Sequence, residues 1–521
     1  MSTAGAATQD LSPGRRSAIL VVVALALMTV VSAVTGLNVA LPDLAVDTGA
    51  SQTQLTWIVD AYTVVFAGLL LPAGAIGDRF GRRGILLVGL LVFGTASALA
   101  LFVDTPEALI ALRAVMGVGA AGIMPVTLSI ITTSFPAAER GKAVGVWVGV
   151  AGGGAVVGLF ASGLLLEFYS WNSFFALNVA LAVLAVIGTV VVIPGSRDEH
   201  PSRLDPTGAL LSLVGIGALV FGIIEGPERG WSDPLTVSGL AVGAAGLIGF
   251  VLWELRVAEP LLDPRLFALR GFSAGTAALT AQFFATFGLF FVVLQYLQFV
   301  VGQSPLRAAV SLLPLPIVLL PTARNAPRLA ERLGTNRVVP AGLLLSASGM
   351  LVLSRTGVDL VYWQFAAGLV LFAAGAALAQ TPSTDAIVAS LPAHKQGVGS
   401  AMNDVSRELG SALGIAILGS VLTSRYRSGL GSALDGAPAA VAARAEQSVS
   451  FVRLGPERLG AGAQALIDAA KQSFVDAIGT AFLITACVLI VAAAIVALRA
   501  SGREDQPADR EEEAVGAGTA P

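Results

Sequence analysis

The sequence predicts an all-α integral membrane protein of about fourteen transmembrane helices, arranged as two six-helix halves joined by two extra linker helices. Three observations carry that expectation. Apolar stretches of about 17–25 residues, each able to cross about 30 Å of hydrocarbon, recur along the whole chain. Only 12% of the 521 residues are charged and the mean hydropathy is +0.81, too little charge to cover a water-soluble surface. A short polar motif also recurs after the second and tenth stretches, as it would if the two halves were copies of one another.

The predicted spans are roughly 18–41, 55–76, 84–103, 107–131, 142–166, 172–193, 207–225, 237–254, 272–300, 305–322, 338–354, 361–380, 399–422 and 474–498. The first follows Arg15 and Arg16 and is too long for the apolar region of a signal peptide, so it reads as a membrane helix. Pro314, Pro316 and Pro321 are expected to kink the tenth. The organisation is then a cytoplasmic leader at 1–17, a first half at 18–195, linker helices within 196–270, a second half at 271–499 and a tail at 500–521. The acidic, Ala/Gly-rich tail reads as disordered. Residues 423–473 read as a long polar extracellular loop, a length that usually marks function or disorder.

Basic residues set the orientation. With the N-terminus inside, one face collects Arg15/Arg16, Arg79/Arg82/Arg83, Arg140/Lys142, Arg197/Arg203, Arg256/Arg265/Arg270, Arg324/Arg328/Arg332/Arg337, Lys395 and Arg499. Short loops on the other face carry Arg229, Arg307 and Arg355. An even span count places both termini in the cytoplasm, with the chain in the cell membrane.

Other function classes lack their chemistry. A net charge of −3 gives no basic field for nucleic acid. The single cysteine, Cys487, excludes an internal disulfide, and neither it nor His200 and His394 forms a metal-ligand cluster. Cys487 reads as packing within an apolar run, and the two histidines as solvated loop residues. A membrane enzyme would need a His/Asp/Ser constellation or a phosphate-binding loop, and a sensor would need a soluble output domain.

The repeated motif is Asp78-Arg79-Phe80-Gly81-Arg82-Arg83 after the second span and Glu331-Arg332-Leu333-Gly334 after the tenth. The segment from Gly74 to Arg83 resembles the signature loop of the major facilitator superfamily (MFS). Arg113, followed by Gly117 and Gly119, resembles the fourth-helix motif of that superfamily, with Met116 where glutamine is usual. Asn38-Val-Ala-Leu-Pro42, Trp57-Ile-Val-Asp60-Ala-Tyr62 and Gly399-Ser-Ala-Met-Asn-Asp404-Val-Ser-Arg407-Glu408-Leu-Gly410 narrow the likeness to fourteen-span drug:proton antiporters. Within these, the chain looks most similar to the quaternary-ammonium-compound efflux subfamily. Two positions depart from the pattern. Ala33 stands where the first-helix motif has an aspartate, and Gly152-Gly-Gly154-Ala155 stands where the fifth-helix motif has Gly-Pro.

Ionisable groups inside a membrane span are expensive, and each is a functional candidate. Asp60 and Arg113 lie at similar depths in the second and fourth spans, so they are expected to pair or share a polar cavity. Asp404 and Glu408 are four residues apart on one helical face, with Arg407 between them, and are expected near the hydrated cytoplasmic interface. These four are the proton-coupling candidates. Asp78, Arg79, Arg82 and Arg83 are expected to gate the cytoplasmic side, with Glu331 and Arg332 as the weaker counterpart. Small residues at Gly145, Gly149, Gly152, Gly153, Gly154 and Gly158 suit close helix packing. Candidate substrate contacts are Trp57, Tyr62, Trp147 and Phe291, which suit planar lipophilic or cationic molecules. Gln295, Gln298 and, from its motif, Asn38 are the polar candidates.

The expected function is proton-coupled efflux of lipophilic drugs or metabolites, cations among them, from a site between the halves. The proton gradient would drive it without cofactor or metal, and the partners would be substrate, protons and lipid, with the chain a monomer. A lipid or metabolite exporter and an uncoupled facilitator remain alternatives within transport. A membrane-embedded enzyme or sensor is the alternative from another class. The charge asymmetry gives a direct test in a Cys487→Ser background. Cysteine at Ala437 should react with an impermeant thiol reagent applied to intact cells, and cysteine at Arg328 should not; reversed labelling would invert the topology.

Overall fold

The computed structural model describes residues 12–196, 204–391, 396–434, 439–454 and 463–499, and every regular element among them is helical. The first half comprises α1 (Pro13–Thr35), α2 (Leu37–Thr48), α3 (Gln52–Phe80), α4 (Arg82–Ala100), α5 (Pro106–Ser134), α6 (Ala137–Phe168) and α7 (Ser173–Val192). The linker pair is α8 (Pro206–Arg229) and α9 (Pro234–Glu254). The second half contains α10 (Arg270–Gln295), α11 (Pro305–Ser311), α12 (Pro314–Leu333), α13 (Thr335–Leu353), α14 (Tyr362–Ala389), α15 (Gln396–Leu430), α16 (Ala439–Gln447) and α17 (Ala463–Arg499). Thirteen described helical segments are long and apolar enough to cross a membrane, and each coincides with a predicted span. The remaining predicted span is α6, whose shorter apolar segment is Gly154–Phe168.

Local chemistry sets the helix ends. At the start of α3, Ser51 Oγ accepts from the Gln54 N–H at 3.2 Å while Gln54 Oε1 accepts from the Ser51 N–H at 2.9 Å. This reciprocal cap starts the helix three residues before the predicted span. α1 likewise begins inside the predicted leader, at Pro13 in its first turn. The first span continues past a one-residue break at Gly36 into α2, where Pro42 lacks the N–H that would bond the Asn38 carbonyl. Of the three prolines expected to kink the tenth span, Pro314 marks the break, which separates α11 from α12. Pro316 and Pro321 lie inside α12.

The predicted loop at 423–473 is corrected in its described parts. α15 runs to Leu430, a 3-10 turn follows at Gly431–Leu434, and the other described residues there form α16, a second 3-10 turn at Val449–Leu454 and the first turns of α17. Tyr426, Ala445, Val449, Phe451 and Phe474 are buried there, and Tyr426 donates to the Ala445 carbonyl at 2.8 Å. That small apolar core is what a polar composition concealed. Cys487 is exposed on the outside of α17 instead of packed. The expectations for His200, Arg197, Arg203, His394, Lys395, Ala437, residues 1–11 and the tail at 500–521 lie outside the described residues.

The motif repeat has a backbone cause. Gly81 links α3 to α4 at φ +113°, and Gly334 links α12 to α13 at φ +88°. Each glycine ends one helix and starts the next, and a side chain at such φ is strained. The shared spacing of acid, Arg, one residue and Gly is therefore one hinge built twice.

The halves meet at the end away from the chain termini. A methyl group at Gly419 of α15 would lie 2.6 Å from Thr56 Oγ1 of α3, and one at Gly163 of α6 would lie 3.1 Å from Ala309 Cβ of α11. Gln298 Nε2, in a π-helical turn at Tyr296–Val300, donates to the Val39 carbonyl of α2 at 3.0 Å. At the basic end, a methyl group added at Gly145 or Gly149 of α6 would meet nothing within 4 Å, whereas Gly158 packs on Ser32 of α1. The expected glycine packing therefore holds only for the outer part of α6. Inside the second half, side chains at Gly410 and Gly414 would strike the backbone of α10 at Thr280 and Phe284.

That contact predicts a measurable loss. Gly410→Val should destabilise by about 1–3 kcal/mol, the usual range for overpacking. It should reduce monodisperse yield and melting midpoint in detergent, while Gly145→Ala should lower neither. Equal behaviour of the two variants would mean α10 and α15 are looser than described.

Candidate transport site between the halves

The candidate site starts from two charged groups carried into apolar helices. Asp60 on α3 and Arg113 on α5 are both fully buried, at 0% exposure. Their expected ion pair is not formed. Asp60 Oδ1 accepts from Thr63 Oγ1 at 2.6 Å, and its Oδ2 has no hydrogen-bond partner. Arg113 Nε donates to the Ile58 carbonyl at 2.9 Å, and its guanidinium lies 4.4 Å from the centre of the Tyr62 ring. Met116, standing where glutamine is usual, brings only a thioether 4.0 Å from Arg113 Nη1, and Nη2 has no partner. The physical reason for the correction is reach. Arg113 is held by a carbonyl and an aromatic face two residues to either side of Asp60, which leaves the carboxyl pointing elsewhere.

Tyr62 ties α1 to α5. Its hydroxyl donates to the Val30 carbonyl of α1 at 3.2 Å, fixing the ring between α1 and α5. Glu408 stands across the seam on α15, four residues from Asp404. Asp404, one turn from Glu408, is 6% exposed, so the expected hydrated position is corrected. Arg407 forms no ion pair with Asp404, and its guanidinium lies 4.8 Å from the centre of the Phe283 ring on α10. No ion pair within 4.0 Å reaches Asp60, Arg113, Asp404 or Glu408 among the described residues.

The substrate candidates divide. Trp57 is engaged by the linker, since its indole N–H needs an acceptor and finds Glu225 Oε1 of α8 at 2.8 Å. Trp147 gives its N–H to Thr127 Oγ1 of α5 at 3.1 Å. Phe291 is fully buried on α10. Asn38, Gln295 and Gln298 are buried, and each amide nitrogen donates to a backbone carbonyl: Val34, Phe291 and Val39 respectively. A carbonyl can only accept, so the amides are oriented with their oxygens unpaired, and all three oxygens lack partners. The residues near the seam thus offer acceptors: three amide oxygens and the free oxygen of Asp60.

The gating candidates lie about 27 Å from Asp60 along α3, at 1.5 Å per residue. Asp78 pairs with Arg82 at 2.8 Å across the Gly81 link, Arg83 Nη2 donates to the Val190 carbonyl of α7 at 2.7 Å, and Arg79 lies over Phe80. In the second half, the position equivalent to Arg82 is Thr335, so Glu331 has no cation four residues on and forms no ion pair. Among the described residues, none of the three ion pairs crosses between the halves.

Sequence reasoning missed polar positions within the spans, Glu225 and Gln282 among them. Glu225 on α8 accepts from both Trp57 and Arg229, the latter at 2.6 Å. Its signal was legible as an acid and an arginine four apart at a span end. Gln282 on α10 accepts from Ser346 of α13 at 3.1 Å and is fully buried. A lone glutamine in an apolar helix gave no comparable warning.

Two helical halves sealed at one end, with buried charge along their seam, define a multi-pass membrane transporter. The chain belongs to the Major Facilitator Superfamily, whose family model matches residues 23–415. It is 33% identical to the multidrug efflux pump LfrA of Mycolicibacterium smegmatis over 489 residues, covering 93% of this chain and 96% of that one. It is 37% identical to the puromycin resistance protein pur8 of Streptomyces alboniger over 423 residues, covering 80% and 84%. Its fold matches a bacterial homologue of the human lysosomal transporter Spinster, in an inward-facing and occupied conformation, with TM-score 0.65 at 18% identity, covering 94% and 97%.

The Asp78–Arg82 pair supplies the test of gating. Asp78→Asn should slow efflux of a fluorescent lipophilic cation by roughly an order of magnitude, the size of an ordinary conformational coupling. Membrane level should stay normal. Unchanged efflux at that level would remove the gating role, and lost expression would assign the charge to topology.

Proposed function

We propose that this chain exports lipophilic drugs or metabolites, cations included, across the cell membrane in exchange for protons, with both termini in the cytoplasm. The observation that carries the reading is Asp60: a buried carboxyl at the seam, with one oxygen held by Thr63 and the other free, beside a guanidinium bound to other groups. A coupling acid must bind a proton in one state and release it in another, so its surroundings must change during the cycle. Rocking of the halves would move Tyr62 and Arg113 relative to Glu408, and an arginine brought towards a carboxyl favours its ionised form. The names of LfrA and pur8, a multidrug efflux pump and an antibiotic resistance protein, support the export direction and the substrate class.

In the proposed cycle, the structure corresponds to the state sealed at the non-basic end, where substrate enters from the cytoplasm. Asp60 is the main proton carrier, and Asp404 and Glu408 act second, with Arg407 turned away onto Phe283. The gate at Asp78 and Arg82 would close the basic end after substrate entry.

Reconstituted vesicles test the assignment. Asp60→Asn should abolish substrate-induced proton movement, while energy-independent counterflow of substrate survives because rocking needs no net proton. Asp404→Asn and Glu408→Gln should each keep part of the proton signal. Proton movement that persists in Asp60→Asn and disappears in either of the other variants would reverse the roles.

A further inference from the structure

The arginines of the basic face are treated differently in the two halves. In the first half four are engaged by polar groups of the protein: Arg15 by the Val192 carbonyl at 3.5 Å, Arg16 by Glu139 at 3.5 Å, Arg82 by Asp78 and Arg83 by the Val190 carbonyl, while Arg79 is exposed over Phe80. In the second half, Arg324, Arg328 and Arg332 recur every fourth residue along α12, are exposed, and form no ion pair among the described residues. Four-residue spacing puts the three guanidinium groups on one helical face.

That face lies at a definite depth. Arg324 is 19 residues beyond Pro305, where the span begins, or about 28 Å at 1.5 Å per residue. This is close to the full hydrocarbon thickness of about 30 Å. Arg324 therefore stands at the headgroup boundary, with Arg328 and Arg332 about 6 and 12 Å further out along the helix. Two adjoining cavities, of about 530 and 460 Å³, open along the helix here and share Pro321, Asn325 and Arg328. Their apolar walls are Leu320, Leu329 and Leu378, the last contributed by α14. Neither cavity is lined by an acid. Glu331 and Asp385 instead line a third cavity of about 780 Å³, which borders the notch at Arg332 and lies among α10, α12, α13, α14 and α17.

We propose that this notch binds an anionic phospholipid, with Arg324 and Arg328 holding the phosphate and the leucine walls taking the upper acyl chains. A guanidinium offers a planar fork of donors that matches phosphate oxygens. Basic residues at the membrane surface attract anionic headgroups, and the apolar floor directly below excludes a purely aqueous anion as the best fit. The site is independent of the substrate path and of the export reading.

The test uses delipidated full-length protein in neutral detergent, titrated with phosphatidylglycerol and monitored by native mass spectrometry. Arg324→Gln/Arg328→Gln should bind phosphatidylglycerol about 30-fold more weakly, the loss of two surface cations. Phosphatidylcholine should bind weakly and equally to both proteins. Arg307→Gln/Arg355→Gln, which removes two exposed arginines from the opposite face, should leave phosphatidylglycerol affinity unchanged. Equal phosphatidylglycerol affinity in the notch variant and the unaltered protein would overturn the proposal, as would an equal loss in the opposite-face variant. Displacement of the lipid by millimolar inorganic phosphate would also overturn it, leaving an anion site without a lipid. If the glutamine variant does not fold, Arg324→Lys/Arg328→Lys keeps both charges and should retain binding that weakens in 0.5 M salt, a range in which surface charges are screened. Salt-insensitive binding would then count against it.

Discussion

Burial of Arg113 inside an apolar helix bundle is the constraint on which the rest of the arrangement depends. Hydrocarbon supplies no donors or acceptors, so every polar group carried into it must be met by the protein. Arg113 is met by α3 twice, through the Ile58 carbonyl and the Tyr62 ring. Tyr62 must then be held still, which the Val30 carbonyl of α1 achieves. One guanidinium thereby fixes three helices of the first half around a single point. The interactions are still incomplete, since Arg113 Nη2 and Asp60 Oδ2 both lack partners. Buried polar atoms without partners cost about 1–3 kcal/mol each, so a state that satisfies them has a ready advantage.

The two halves share a hinge and differ in how they close it. Gly81 and Gly334 adopt the same left-handed region of backbone space, which makes the helix-to-helix link equivalent. Beyond that, the first copy has Arg82 at the position where the second has Thr335. A single side chain thus separates a hinge clasped by its own ion pair from one left open to a cavity and to the membrane surface. Symmetry sets the backbone, and side chains set the division of labour.

Spans, loop charge and repeat were legible because membrane helices announce themselves by length and composition, and because a hinge that needs glycine keeps its spacing. Helix ends were less legible. Ser51 and Gln54 formed a readable cap, yet hydropathy alone started the span at residue 55. The helical cap over 423–473 was hidden because its core uses a few scattered residues, Tyr426, Phe451 and Phe474 among them, in a polar background. Site residues were found by type but not by partner. Depth put Asp60 level with Arg113, but depth carries no azimuth, and a long guanidinium chooses among a carbonyl, a ring and a carboxylate by direction. The same blindness left the partner of Trp57 unread, since its indole N–H is bound to Glu225 of α8.

α8 has a consequence for how molecules dissolved in the bilayer meet the protein. It packs against both α3 and α15, with Ile216, Val220 and Ile224 against Val64 on one side and Ala412 and Ala416 on the other. Arg427 of α15 also donates to the Pro227 carbonyl at 3.5 Å. One of the two lateral contacts between the halves is therefore roofed by a linker helix, and among the described residues the linker pair packs on that side. A hydrophobic molecule moving sideways from the membrane towards the α3–α15 boundary would meet α8 first, a barrier that a protein with only the two six-helix halves would lack.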